Sequence, residues 1–199
     1  MGTQSTSGRQ RAAPGPTRTE DEAALIARIA TRDLRAFEQL YRLYQSRLSR
    51  FLTNLTRRPN LVEEVLNDTL MVVWDRAATY NGASKVSTWI FAIAYRKALK
   101  AMRKQDEPVE DKQAETRPSL EADPEQQIGS AQLQEILVTA MAELSADHRA
   151  VVDLTYFHEI GYREIADIME CPVDTVKTRM FYARRHLKGK LAGQLADWL

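Results

Sequence analysis

Apolar residues recur every three or four positions along most of this chain, and that spacing favours one kind of regular structure. An α-helix places such residues on one face, whereas a half-buried strand needs strict alternation, which no segment shows. In the longest such segment the apolar positions are Leu34, Phe37, Leu40, Tyr41, Tyr44, Leu48, Phe51, Leu52 and Leu55. The sequence therefore predicts an all-α protein.

Helix boundary signals predict a first domain of four helices over residues 20–105. Asp33 is a favoured N-cap for the second helix, and Pro59 ends that helix. Residues 79–82 (Thr-Tyr-Asn-Gly) favour a turn before the fourth helix.

A change of composition marks a linker after the first domain. Residues 106–126 hold three prolines and eight acids against two basic side chains. Because such a segment has little apolar surface to bury, we expect a flexible linker over 106–127 and a second helical domain over 128–191. Residues 1–19 are expected to be a disordered tail, and residues 192–199 a short C-terminal tail.

Charge is segregated along the chain, although the net charge is only +1. Residues 95–104 carry five basic side chains and no acid, and residues 174–190 carry six Lys or Arg against one acid, Asp174. Two basic stretches on either side of an acidic spacer are typical of a protein that contacts a polyanion at two places.

Patterns typical of enzymes and metal sites do not occur in this sequence. The single cysteine, Cys171, excludes an internal disulfide, and the three histidines lack the spacing of a helical metal pair. We therefore expect no catalytic residues, no cofactor and no metal. No apolar run reaches the roughly 20 residues of a membrane span. The first 18 residues do not resemble a secretory signal, so we expect a cytoplasmic protein with no membrane insertion.

The segment 161–187 predicts a helix-turn-helix. A short helix over 162–169 precedes the turn Glu170-Cys171-Pro172, and Pro172 suits the first turn of a helix from 173 to about 190. The residues of that helix expected to face the core are Val173, Val176, Met180, Ala183 and Leu187. Those left for solvent or DNA are Thr175, Lys177, Thr178, Arg179, Phe181, Tyr182, Arg184 and Arg185.

The exposed side chains of this helix suit DNA. Lys177 and Arg179 can donate to the O6 and N7 atoms of guanine, and Thr178 can bond a base or a phosphate. Arg184 and Arg185 lie further along the helix and suit phosphates, which position a protein without reading sequence. The alternative is a solvated basic face on an ordinary helical hairpin.

Both halves of the chain resemble one family. The runs DLRAFEQLYRLY, VEEVLNDTLMVVWDRA and STWIFAIAYRKALKAMRK resemble domain 2 of the extracytoplasmic-function (ECF) sigma factors of the sigma-70 family. The run from Leu144 to Leu191 resembles their domain 4. The resemblance covers about residues 20–104 and 128–190. It implies a non-catalytic subunit that binds RNA polymerase core, reads the −35 duplex with domain 4, and opens and traps −10 DNA with domain 2.

The resemblance also implies roles for residues of the first domain. In the family, the helix matching 61–76 docks on the coiled coil of the largest polymerase subunit, and the loop matching 78–85 captures an unstacked −10 base. The implied polymerase-binding residues are Glu63, Glu64, Asn67 and Asp68, for which a solvated helix surface is the alternative. The implied −10 residues are Tyr80, Asn81, Ser84, Lys85, Tyr95, Arg96, Lys97, Lys100, Arg103 and Lys104.

The chain departs from the family pattern at two places. Tyr95 and Arg96 stand where many members have Arg-Asn, and Glu170 stands where many have a small residue. These departures leave the exact −10 sequence open.

Two further expectations concern a regulatory partner and the length of the linker. The resemblance implies an anti-sigma factor as a further partner. The −35 and −10 elements lie about 55 Å apart, whereas a flexible linker of this length averages about 25 Å between its ends. We therefore expect the free protein to bind promoters poorly until polymerase separates the domains. The linker acids either lie in a basic channel of the polymerase or are simply solvated.

Two other protein classes fit parts of the pattern. A helix-turn-helix regulator acting without polymerase would use residues 20–104 as a sensor or dimerisation domain, which the basic run at 95–104 disfavours. A helical adaptor protein would leave both basic faces without a role.

Overall fold

A computed structural model describes residues 18–106 and 137–196 of the chain. In the first domain the helices are α1 (Arg18–Ala30), α2 (Leu34–Thr56), α3 (Pro59–Arg76) and α4 (Val86–Asp106), with a 3₁₀ turn at Ala77–Thr79. In the second domain they are α5 (described over 137–142), α6 (Ala146–Tyr156), α7 (Tyr162–Met169) and α8 (Val173–Ala196). The described residues are all-α and contain no strand, as predicted. Outside them lie residues 1–17 of the predicted tail, 107–127 of the predicted linker, 128–136 of the predicted second domain and 197–199 of the predicted C-terminal tail.

Both predicted breaks around α2 are confirmed. The Asp33 carboxylate accepts from the N–H groups of Arg35 and Ala36 at 2.9 and 3.2 Å, which satisfies two donors at the start of α2. At the other end Arg57 adopts a left-handed conformation with φ 54°, and Pro59 occupies the first turn of α3, where its missing N–H costs nothing.

Helix α2 is the centre of the first domain and packs against α1, α3 and α4. Leu40, Tyr44, Leu48 and Phe51 are fully buried along one face, as the periodicity predicts. The Tyr44 hydroxyl donates to Glu22 Oε2 at 2.7 Å, and burial together with that carboxylate raises the pKa of Tyr44.

Leu34 was predicted to lie on the buried face of α2, and this prediction was wrong, because its side chain is 69% exposed. Side chains in a helix lean back over the preceding turn. Leu34 is the first residue of α2, so no preceding turn of that helix lies beneath it.

The second domain follows the predicted helix-turn-helix, with one difference in length. Ser145 caps α6 by accepting from the His148 N–H, and α7 has the predicted bounds. Helix α8 continues to Ala196 rather than ending near residue 190. A glycine inside a helix destabilises it by only about 1 kcal/mol relative to alanine, so Gly189 does not end α8. Leu191, beyond it, lines an apolar groove with Met141 of α5.

The two domains pack directly against each other, α2 against α6 and α4 against α7, and their buried side chains form one continuous cluster. Asn54 of α2 donates to the buried Asp153 of α6 at 2.5 Å, and Arg149 of α6 donates to the Leu55 carbonyl at 2.9 Å. The His158 ring, which follows α6, packs 4.6 Å from the ring of Phe91 on α4. Within the described residues, no helix is long and apolar enough to cross a membrane.

Candidate nucleic-acid interface

The turn between α7 and α8 sets the direction of the last helix. Glu170 ends α7 in a left-handed conformation with φ 51°, and its N–H bonds the Ala166 carbonyl. Val176, Met180 and Ala183 of α8 are buried, so the opposite face of the helix points to solvent. The predicted DNA-contacting residues that are exposed are Lys177, Thr178, Phe181, Tyr182, Arg184 and Arg185, whereas Thr175 and Arg179 are half-buried.

Several of the polar side chains on this face already have partners within the second domain. Arg179 pairs with Asp147 of α6, and the Thr178 hydroxyl donates to the Asp174 carbonyl at 2.8 Å. Lys177 pairs with the Asp174 carboxylate at 2.9 Å. Base reading by Arg179 therefore requires its guanidinium to leave Asp147, whereas Lys177 has only an exposed ion pair to give up, which is weak.

Two aromatic side chains extend the exposed face of α8. Phe181 and Tyr182 are 62% and 54% exposed, with their ring centroids 5.5 Å apart. Adjacent exposed aromatics beside cations suit contact with bases or with another protein surface.

The loop before α4 holds the first group of predicted −10 residues. The Tyr80 hydroxyl donates to the Ser84 carbonyl at 2.5 Å, and its ring lies 5.3 Å from that of Trp89, so partial burial raises the pKa of Tyr80. Asn81 Oδ1 accepts from the Ala83 N–H at 3.0 Å, and Gly82 adopts φ 74°. Tyr80 therefore shapes this loop, and Asn81 lies exposed at its tip.

Helix α4 carries the second group of predicted −10 residues in two different settings. Lys100, Arg103 and Lys104 are exposed and form a basic strip near the end of the helix. Lys97 pairs with Asp68 of α3 at 3.0 Å. Tyr95, in contrast, is only 4% exposed, which sequence reasoning did not anticipate.

The remaining predicted −10 residues face carboxylates of the second domain. The Tyr95 hydroxyl donates to Asp147 Oδ1 at 2.7 Å, and burial followed by this carboxylate raises the pKa of Tyr95. Arg96 pairs with Glu170 at 2.5 Å. Lys85 pairs with Glu164 of α7 at 2.9 Å. The crevice between α4 and the second domain has a volume of about 530 Å³.

Sequence reasoning missed the acidic partners in this contact. Asp147, Glu164 and Glu170 are separated in sequence from the first domain by the linker, so no local pattern joins them to their partners. Asp147 and Glu164 are also at ordinary positions for a helical acid, in the first turn of α6 and in the first turn of α7.

The outer face of α3 presents the predicted polymerase-binding residues together. Glu63, Glu64, Asn67 and Asp68 are all exposed. Met71, which sequence reasoning missed, is 53% exposed and continues the same face, because it lies one turn beyond Asn67. The signal available in the sequence was the apolar spacing of α3, because Met71 falls outside the face formed by Leu66, Leu70 and Val73.

A four-helix unit with a basic helix, joined to a helix-turn-helix, defines a two-domain helical DNA-binding protein. Among the described residues, no group of three His, Cys, Asp or Glu side chains is placed to hold a metal ion. Known proteins allow a more specific assignment.

Two family models match the chain. Sigma-70 region 2 matches residues 40–107, and Sigma-70, region 4 matches residues 134–187. The ECF RNA polymerase sigma-E factor of Haemophilus influenzae is 28% identical over 180 residues, covering 85% of this chain and 95% of that protein. The ECF RNA polymerase sigma factor SigM of Bacillus subtilis is 28% identical over 154 residues, covering 76% and 92%.

Solved structures share the fold. The sigma factor RpoE in complex with the anti-sigma factor NepR from Bartonella quintana is 25% identical with a TM-score of 0.62, covering 80% of this chain and 98% of that one. CnrH in complex with the cytosolic domain of CnrY is 21% identical with a TM-score of 0.65, covering 87% and 98%.

This chain therefore belongs to the ECF sigma factors of the sigma-70 family. Its function is to bind RNA polymerase core and promoter DNA and to direct promoter-specific transcription initiation. A helix-turn-helix regulator independent of polymerase is not favoured.

Proposed function

We propose that this sigma factor reads promoters through two surfaces, one on each domain, which polymerase must hold apart. The observation that supports this most strongly is that each domain exposes its own cationic face. One face is the strip Lys100, Arg103 and Lys104 on α4, and the other is the outer face of α8.

The face of α8 reads the −35 duplex in this proposal. Arg179 and Lys177 donate to guanine edges in the major groove, and Arg184 and Arg185 neutralise phosphates further along. Arg179 moves from Asp147 to the base, exchanging one charge-assisted bond for another. Thr175, Thr178, Phe181 and Tyr182 complete the contact surface.

The −10 strand is held by the loop before α4 and by α4 itself. Asn81, exposed at the loop tip, presents its side chain to an unstacked base, with Ser84 and Lys85 beside it. The cations of α4 follow the strand backbone, as is usual for single-stranded DNA. Tyr95 joins this surface only after the domains separate, because it is buried while they are in contact, whereas exposed Arg96 has only to leave its ion pair with Glu170.

The outer face of α3 binds the polymerase. Glu63, Glu64, Asn67 and Asp68 supply an acidic rim, and exposed Met71 supplies an apolar contact that adapts its shape to a partner. This acidic face lies on the helix adjacent to basic α4, so the two charged surfaces suit two different partners.

We also propose where the protein acts, that it is non-catalytic and that another protein regulates it. The protein acts in the cytoplasm as a non-catalytic initiation subunit without a cofactor, and an anti-sigma factor controls it. Support for the regulator comes from the RpoE structure, in which a sigma factor is bound to the anti-sigma factor NepR.

A melting assay tests the role of the basic strip on α4. Holoenzyme assembled with the Lys100→Ala/Arg103→Ala variant should melt the −10 region roughly tenfold less, because two phosphate contacts are lost. Permanganate reactivity of unpaired thymines measures melting. The matched control is Arg35→Ala/Arg42→Ala, which removes two exposed cations from α2. Equal melting by wild type and by the α4 variant would contradict the proposal.

A further inference from the structure

Asp174 is the only acidic residue of α8, a helix that is otherwise basic. Its side chain is 89% exposed in the first turn of the helix. At 3.6 residues per turn, Asp174 falls in one row with Thr178 and Arg185. That row is opposite the buried side chains of Val176 and Met180. The carboxylate therefore lies at the centre of the face proposed to read the −35 duplex.

A groove beside the start of α8 also includes this carboxylate. The groove has a volume of about 320 Å³ and is lined by His148, Asp174, Thr175, Thr178, Arg179 and Tyr182. The last four of these residues were predicted from the sequence to contact DNA. Asp174 is thus surrounded by predicted DNA contacts, although its charge has the same sign as that of the phosphates.

A carboxylate on this face affects specific and non-specific DNA binding in opposite ways. Phosphates repel it in every DNA sequence, so it weakens binding wherever it gains no hydrogen bond. Because an ionised carboxylate only accepts hydrogen bonds, its partner on a base edge must be a donor. In the major groove the N4 amino group of cytosine is the donor that suits Asp or Glu. Asp174 therefore discriminates between base edges that donate and edges that only accept.

Lys177 supplies the other half of a matching pair of groups. Its Nζ lies 2.9 Å from Asp174 Oδ1, and both side chains are exposed. In a G·C base pair, cytosine N4 donates to guanine O6 at an N–H···O distance of about 2.9 Å. The ion pair thus presents an acceptor and a donor at the spacing at which one G·C pair presents a donor and an acceptor. Lys177 also offsets the repulsion between Asp174 and the phosphates.

We propose that Asp174 is a specificity-determining residue and that it reads one G·C base pair of the −35 element together with Lys177. Asp174 accepts from cytosine N4, while Lys177 donates to O6 and N7 of the guanine in the same pair. A reversed C·G pair places the carboxylate against the guanine acceptors. An A·T pair offers Lys177 a single acceptor, beside the thymine methyl group. This inference rests on the proposed function, since α8 must enter the −35 major groove.

Transcription by holoenzyme from a panel of promoters tests the role of Asp174. In this panel each −35 base pair of one active promoter is replaced in turn by the other three. At one position wild type should favour G·C roughly tenfold over the other pairs, and Asp174→Ala should lose that preference. The preference is a ratio between promoters, so a variant that only lowers the amount of folded protein leaves it unchanged.

The matched control is Asp167→Ala, which removes an exposed acid from α7. It changes the net charge by the same amount as Asp174→Ala, and it should keep the base preferences of wild type at every position. Equal preferences in Asp174→Ala and Asp167→Ala would overturn the proposal. A position at which Asp174→Ala loses a preference for A·T rather than G·C would overturn the assignment of the base pair.

A double-mutant cycle tests whether the two side chains act as one unit. Lys177→Ala leaves the carboxylate facing DNA without its cation, so it should transcribe less than Asp174→Ala/Lys177→Ala. Each single substitution should remove the same G·C preference, and the double substitution should remove no more. Additive losses at two different base pairs would mean that the two residues read separately.

The same promoter panel separates the two levels of inference. Wild-type holoenzyme whose transcription does not depend on the −35 sequence defeats the proposed function. A clear −35 preference that Asp174→Ala leaves unchanged defeats only the role of Asp174.

Discussion

Asp33 shows how one side chain fixes the corner between two helices. Its carboxylate caps α2 through the Ala36 N–H and pairs with Arg28 of α1 at 2.7 Å. The Arg28 guanidinium and the Ala36 N–H lower the pKa of Asp33 below its usual value. A carboxyl whose pKa is lower in the folded than in the unfolded protein stabilises the fold above its unfolded pKa.

The stability contribution of Asp33 should therefore disappear as pH falls below about 4. Asp33→Asn keeps a capping oxygen but loses the charge, so it should be less stable than wild type at pH 7 and approach wild type near pH 3. Urea titrations at the two pH values measure this. The exposed Asp167→Asn variant is the control. A stability difference that is unchanged between the two pH values would contradict the assignment.

Arg179 and Arg185 should differ in what their removal does to promoter choice. Arg179→Ala should cost roughly 1–3 kcal/mol at one −35 base pair and relax the preference there, because a base contact is lost. Arg185→Ala should weaken all promoters alike and reduce the salt dependence, because a phosphate contact is lost. Transcription by holoenzyme from promoters with single −35 substitutions distinguishes the two. If both variants lower transcription equally from all promoters, Arg179 does not read a base.

At the scale of elements, α3 should determine affinity for the polymerase core. Glu64→Lys reverses a charge at the centre of the proposed docking face, and like-charge contact across an interface is costly, so binding to core should weaken about tenfold or more. Met71→Ala should weaken it less. Competition with a labelled sigma factor for purified core measures both.

The control for this experiment is Glu38→Lys on α2. Glu38 is exposed and pairs only with Arg42 of its own helix among the contacts described, so its reversal should leave core binding unchanged. Equal losses for Glu64→Lys and Glu38→Lys would remove α3 from the docking surface.

The elements themselves were predictable because their signals are local. Asp33, Pro59 and the turn at Glu170-Cys171-Pro172 each act within a few residues, and the structure places helix boundaries at all three. The end of α8 was missed, since Leu191 lines an apolar groove together with Met141 of α5, an arrangement that the sequence of α8 alone does not show.

The candidate site was predictable only in part, because some of its contacts join residues that are distant in sequence. Periodicity identified which residues of α8 point outward, including Phe181 and Tyr182. The family resemblance placed Tyr95 among the −10 residues, yet Tyr95 is buried and its hydroxyl donates to Asp147 of α6, which follows the linker in sequence. Long-range contacts between domains have no local signature.

At the scale of the whole molecule, the proposed function depends on the distance between the two DNA-contacting surfaces. The two DNA elements are about 55 Å apart, roughly one and a half helical turns. While the domains are in contact, Arg96 of the first domain forms an ion pair with Glu170, which lies just before α8. The proposed function therefore requires the domains to part before both surfaces engage one promoter, and binding to polymerase is the event that we expect to part them.

The most direct test is transcription by purified core polymerase with and without this protein, on a template carrying the region upstream of its own operon. We expect a new, specific start site only when both components are present, and its loss with Glu64→Lys but not with Glu38→Lys. If adding the protein to core polymerase produces no new start site on that template or on a pool of genomic fragments, promoter recognition through these two surfaces is contradicted.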